Sequence, residues 1–181
     1  MIMPYSYKTS SDYVDELHFD YIETYSFQRG EEFEARRKER LAEYIKLKEL
    51  QRKRKLNADE ENEFLRLSDE GETRYLIDSK GEFHPSSEKI QVLKRADPKI
   101  ERLIGILRIE AKDIPQWMCA PVYRDAIVFY DDEGNIVSTL NICFSCEYMA
   151  TKMLSEINAD VKVYELLKQF FVELGLEIEV K

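Results

Sequence analysis

An α+β fold follows from three features of the chain: one β-hairpin of high strand propensity, amphipathic helical segments on either side of it, and a charged helix pair towards the N-terminus. The expected architecture is a small antiparallel sheet with a central hairpin over residues 126–144, packed by helices, plus an N-terminal αα-hairpin. At 181 residues the chain is long enough to bury a core as a single domain, residues 1–181. The helical hairpin over residues 31–70 is expected to protrude, and residues 72–181 to hold the core with the hairpin and a C-terminal helix. With only six glycines and five prolines, the chain has little material for disordered linkers.

In chain order, Ser10, Ser11 and Asp12 offer a cap for a short helix carrying Tyr13, Val14 and Leu17. Leu17, Phe19 and Tyr21 also alternate, so residues 17–27 read equally well as a strand, and both readings stay open. His18, between Leu17 and Phe19, reads as a surface or satisfied histidine. After Gly30, residues 31–56 form one long predicted helix, with acids in its first turn and bases in its last to match the helix dipole. Phe33, Leu41, Tyr44, Ile45 and Leu47 give it only a narrow apolar stripe. Asn57 supplies the cap for a second helix, with Phe64, Leu65 and Leu67 as its buried side, ending near Gly71.

Residues 75–85 predict a small hairpin turning at Gly81, and residues 90–93 a strand. Asp97-Pro98 is a helix start, followed by Ile100, Leu103, Ile104 and Leu107 at helical spacing. Trp117, in the irregular lead to the central hairpin, reads as a buried anchor. Residues 126–130 are apolar on both parities, as expected of a strand covered on both sides. Gly134 serves the turn. In the return strand Ile136, Leu140, Ile142 and Phe144 share one parity, and Val137, Thr139, Asn141 and Cys143 the other. Ser145 then predicts a helical cap, with Cys146 in the first turn of a helix reaching residue 157. A helix over residues 161–174 presents Val163, Leu166, Leu167, Phe170, Phe171 and Leu174. Gly175 stops it before a closing strand at 176–180.

Charge is unevenly distributed. The net charge is −9, yet residues 36–55 hold ten Lys or Arg against three Glu, a local +7, so the remainder carries −16. Clustered bases are what a phosphate-binding surface needs. Here they lack interleaved aromatics, a glycine-rich loop or a helix-turn-helix pattern, and the acidic remainder would repel phosphate, so nucleic acid is not the expected partner. There is no signal-peptide pattern and no run near the ~18 apolar residues of a membrane span, and the cysteine count is odd; a cytoplasmic protein is expected.

Chemistry would have to centre on Cys119, Cys143 and Cys146. Three readings stay open, with a disulfide as a fourth. The most economical makes them small buried hydrophobes. The second makes them thiolate ligands of zinc, with His18 or His84 as the fourth ligand, although neither has motif spacing. The third is a thioredoxin-like thiol pair in Cys143-Phe-Ser-Cys146, though no βαβ pattern precedes it. No phosphate loop, nucleophile elbow or His-Glu-x-x-His is present. The expectation is therefore a non-enzymatic, acidic protein-binding domain of immunity or antitoxin type, without a cofactor, whose negative face meets a basic protein. The alternative is a cysteine-centred zinc or thiol-redox protein.

The pattern Tyr123-x-x-Ala-Ile-x-Phe-Tyr-Asp-x-x-Gly-x-Ile136, then Ile142-Cys-Phe-Ser-Cys146 and Leu166-Leu-Lys-x-Phe-Phe-x-x-Leu-Gly175, resembles a loose set of small uncharacterised bacterial proteins. These carry a β-hairpin followed by Cys-Phe-x-Cys. The resemblance spans residues 100–178, excludes the basic helical hairpin and implies no activity.

Overall fold

Elements follow one another as β1 (Ser6–Thr9), α1 (Ser10–Asp15), β2 (Tyr21–Ser26), α2 (Glu31–Lys53), α3 (Ala58–Glu72), β3 (Glu88–Lys94), α4 (Pro98–Leu107), β4 (Asp125–Tyr130), β5 (Ile136–Cys143), β6 (Tyr148–Lys152), β7 (Ser155–Asn158) and α5 (Val161–Glu173). The computed structural model describes residues 6–72, 75–116, 120–152 and 155–178. The seven strands form one sheet in the order β1-β7-β6-β5-β4-β2-β3, antiparallel throughout except for the parallel pair β1–β7. The α+β class is as expected; the sheet is larger than expected and mixed. Two compact units divide the chain: Gln28–Arg74, and the sheet unit made of Met1–Phe27 with Tyr75–Lys181.

Period-two alternation sorts the sheet's two faces. Ile22, Ile127, Phe129, Leu140, Ile142, Met149 and Ile157 join a core with Ile100, Leu103 and Leu107 of α4 and Val163, Leu167, Phe170 and Phe171 of α5. Tyr25, Ala126, Val128, Tyr130, Cys143 and Ala150 belong to a second cluster on the other face, with Tyr123 and Leu76. β4 is buried at every position because both faces are covered, as its unbroken apolar run predicts. α4 begins as expected, with Asp97 accepting from the Lys99 amide and Pro98 in the first turn. In the β4–β5 turn Gly134 has φ +86, a value that favours glycine.

Both readings of the N-terminal stretch have a place. Residues 10–15 are helical, capped by Thr9, and the alternation becomes β2 only from Tyr21. The helix expected over residues 147–157 is not formed. Cys143 pairs with Tyr148, so residues 144–147 close a tight turn between β5 and β6, and Glu147 has φ +48, which no helix interior accommodates. Met149 then faces the helix-side core and Ala150 the opposite cluster, a two-residue period. The predicted 75–85 hairpin reduces to a single bridge, Ile77 to Phe83. Residues 176–178 are not a strand: the Leu176 amide donates to Phe171 O and its side chain is buried, finishing α5 instead. Residues 179–181 and Trp117 lie outside the described residues.

In the other unit, α2 and α3 form an antiparallel pair in which Tyr44 stacks on Phe64 at 5.2 Å. Asn57 and Glu60 make a reciprocal cap: Asn57 Oδ1 accepts from the Glu60 amide at 2.9 Å, and Glu60 Oε2 accepts from the Asn57 amide at 2.9 Å. Arg54 donates to both Glu60 oxygens, and these bonds hold the Glu60 carboxyl down at about 2. Leu47 and Leu67 are buried, whereas Leu65, expected inside, is 55% exposed. Leu65 lies about 100° around the helix from Phe64, away from the partner helix.

Candidate protein-binding face

The sheet face opposite α4 and α5 is built from tyrosines. On β2 the segment Tyr21-Ile22-Glu23-Thr24-Tyr25 sends its odd residues to this face, beside Tyr130 of β4, and Tyr148 lies on the same face further along the sheet on β6. Each ring is braced by another. Tyr21 stacks on Tyr130, centroids 4.7 Å apart and planes within 4°, and Tyr75 stacks on the fully buried Tyr123 at 5.2 Å. Tyr21, Tyr75 and Tyr148 remain partly exposed, so their rings are held rigid while one surface meets solvent. Tyrosine in this state supplies contact area at small conformational-entropy cost.

Glu23 anchors the face from below. Lys89 Nζ donates to its Oε1 at 2.6 Å, Tyr25 OH donates to Oε2 at 2.6 Å, and Tyr130 bonds it as well. Burial pushes this carboxyl up, but the three hydrogen bonds and the lysine charge outweigh burial and hold it below the ordinary 4.5. The same contacts act in reverse on the phenols: burial, then the bond to Glu23, raises Tyr25, and Tyr130 is pushed up to about 12. Both phenols stay neutral across physiological pH. Asn141, fully buried on this face of β5, accepts from the Leu76 amide at 2.8 Å and donates to the carbonyls of Ala150 and Thr151 at 3.1 and 3.3 Å. It ties the 76–77 segment to the sheet.

An acidic turn flanks the tyrosines. Asp131 organises it, accepting from the Asn135 amide at 2.7 Å and from Asn135 Nδ2 at 2.9 Å, which holds its carboxyl low. Asp132 and Glu133 point into solvent. The Tyr21 hydroxyl lies 3.7 Å from where a Cβ on Gly134 would sit, so the turn folds beside the Tyr21–Tyr130 stack. Ile136, paired with Tyr130, and its neighbour Val137 are 43% and 41% exposed. Together these residues form an aromatic and aliphatic patch with acids along the turn and Lys94, paired with Tyr21, on the opposite side.

Cys143 and Cys146 sit elsewhere on the same face. Cys143 is a buried free thiol with Sγ 3.3 Å from Ser145 Oγ. Cys146 lies in the β5–β6 turn rather than a helix, its Sγ 3.9 Å from the Ala120 carbonyl oxygen, and it is disulfide-bonded, so it would have to be reduced before serving as a thiolate ligand. Cys119 lies outside the described residues. Among the described residues no group of three His, Cys, Asp or Glu is placed to hold a metal ion. His18 Nδ1 lies 3.1 Å from the Glu16 carbonyl oxygen, and His84 Nδ1 accepts from the Ser86 amide at 3.2 Å. No helix among the described residues is long and apolar enough to cross a membrane.

Sequence reasoning missed Glu23 and Asn141. The signal was there: a carboxylate between tyrosines of like parity, and an amide within an apolar strand, each require partners if buried. In comparisons with known proteins the chain matches no family model, no curated protein and no solved structure.

Proposed function

We propose that the sheet unit is a non-catalytic protein-binding domain whose partner presents a basic surface, in the manner of an immunity or antitoxin protein. One observation carries this reading: a braced Tyr21–Tyr130 stack and exposed Ile136 and Val137 lie directly beside the acidic 131–133 turn. A rigid aromatic centre with a charged rim is the composition of protein-recognition sites. Charge supports it. The helical unit carries thirteen Lys or Arg and thirteen Asp or Glu and is neutral, so the whole −9 belongs to the sheet unit.

The test compares the wild-type chain with Ile136→Asp and with Asp132→Lys/Glu133→Lys as bait for cellular proteins. The expected result is a basic protein retained by the wild type and lost from both variants. Its affinity should fall about tenfold or more as salt is raised through the physiological range. A partner retained equally by all three chains, or one whose binding ignores salt, would sink the proposal.

A further inference from the structure

The helical unit carries an apolar surface of its own. On α2, Leu41 and Ile45 are 55% and 47% exposed, and on α3 Leu65 is 55% exposed. The Tyr44–Phe64 stack fixes the direction in which the helices face each other. Stepping about 100° per residue from there places Leu41 and Ile45 on one lateral side of α2, and Leu65 on the same side of the antiparallel α3. The flanking charges differ in sign. Exposed Lys38, Lys48 and Arg52 share the α2 surface with Leu41 and Ile45, while exposed Glu61 lies one turn before Leu65 on α3.

We propose that this face pairs with the same face of a second copy of the chain, forming a four-helix arrangement about a two-fold axis parallel to the helices. Such an axis brings α2 of one copy over α3 of the other, antiparallel and at unchanged height, and repeats the contact a second time. Because Tyr44 is level with Phe64, Leu65 of the partner copy falls between Leu41 and Ile45, the (i, i+4) spacing into which a side chain packs. Glu61 of the partner copy then falls beside Lys48, whose ammonium also lies over the Tyr44 ring at 5.5 Å. The basic and acidic helices thus answer each other across the seam, so that neither needs a nucleic-acid or acidic-protein partner.

Sedimentation equilibrium of the full chain tests this. A reversible dimer is expected at micromolar to submillimolar concentration; Leu65→Lys should abolish it. Lys48→Glu and Glu61→Lys should each weaken it about fivefold or more, since each change acts at two symmetric sites. The combined Lys48→Glu/Glu61→Lys chain should return to within about threefold of the wild type, with circular dichroism reporting intact folding throughout. A monomer at every concentration overturns the proposal. So does a dimer indifferent to Leu65→Lys, or a double variant no better than either single one.

Discussion

Tyr25 donates its phenolic hydrogen to Glu23 Oε2 across 2.6 Å, from two residues along the same strand, while Lys89 on the neighbouring strand holds the other carboxylate oxygen. The three side chains form one unit under the tyrosine face, and their removal should be unequal. Glu23→Ala takes the carboxylate acceptor from two phenols, which keep only their bond to each other, and is expected to cost about 1–3 kcal/mol in urea unfolding. Lys89→Met, at a side chain half in solvent, should cost less than about 1 kcal/mol.

The same carboxylate fixes a pH dependence. A group whose folded pKa is lowered contributes stability that is complete above its unfolded value and lost as pH falls through the folded one. The stability gap between the wild type and Glu23→Gln should therefore be widest near pH 7 and shrink once the pH drops below 4.5. In Lys89→Met, burial faces less opposition, so the Glu23 carboxyl should titrate higher than in the wild type. Carboxyl-carbon NMR titration reads this directly; an unchanged midpoint would mean that Lys89 is not what holds it down.

Asn141→Leu should be among the most damaging single substitutions on the sheet. It leaves the Leu76 amide without its acceptor and the carbonyls of Ala150 and Thr151 without this donor, at an expected cost of about 2–4 kcal/mol. Hydrogen exchange at the Leu76 amide should accelerate more than at amides within β4.

Thr24 offers the opposite sign. Its side chain is fully buried and its hydroxyl makes no hydrogen bond among the described residues. Thr24→Val keeps the shape and removes the buried polar group, so the urea midpoint should rise, by about 1 kcal/mol of stability. A fall would show that the hydroxyl is satisfied.

Asn57→Ala removes the cap that joins α2 to α3. About 1 kcal/mol of local helix stability should go with it, seen as faster exchange of the Glu60 amide. Exchange in β4 should not change.

What the sequence revealed was local. Asp97-Pro98, the spacing of Ile100 to Leu107, and the apolar run through Phe129 each carry their structure within a few residues, and each formed as expected. Residues 147–157 did not, because Met149, Ala150 and Lys152 are good helix formers, and their strand character comes from pairing with β5 and β7. The parallel contact of β1 with β7 has no local signature at all. The candidate site was split in the same way. The 131–135 turn was readable from one hairpin. Ile136, expected on one parity with Leu140 and Ile142, is instead exposed opposite Tyr130 because the register shifts after Phe129, and the Glu23 cluster needs Lys89 from a strand placed beside it only by the finished sheet. Cys143-Phe-Ser-Cys146 was legible as a motif, but the turn that carries Cys146 is set by the pairing of β5 with β6 and not by the motif itself.

The pairing of Ser6 with Ser155 sets the order in which this chain can acquire its structure. During synthesis the first strand emerges long before its neighbour exists, and it must wait while the helical insertion Gln28–Arg74 is made. Closure of the sheet edge is then among the last events, carrying the entropy of a loop nearly as long as the chain. A nascent chain arrested before residue 155 would expose the edge of β6 to neighbouring polypeptides, which makes that interval the one in which a chaperone would matter most.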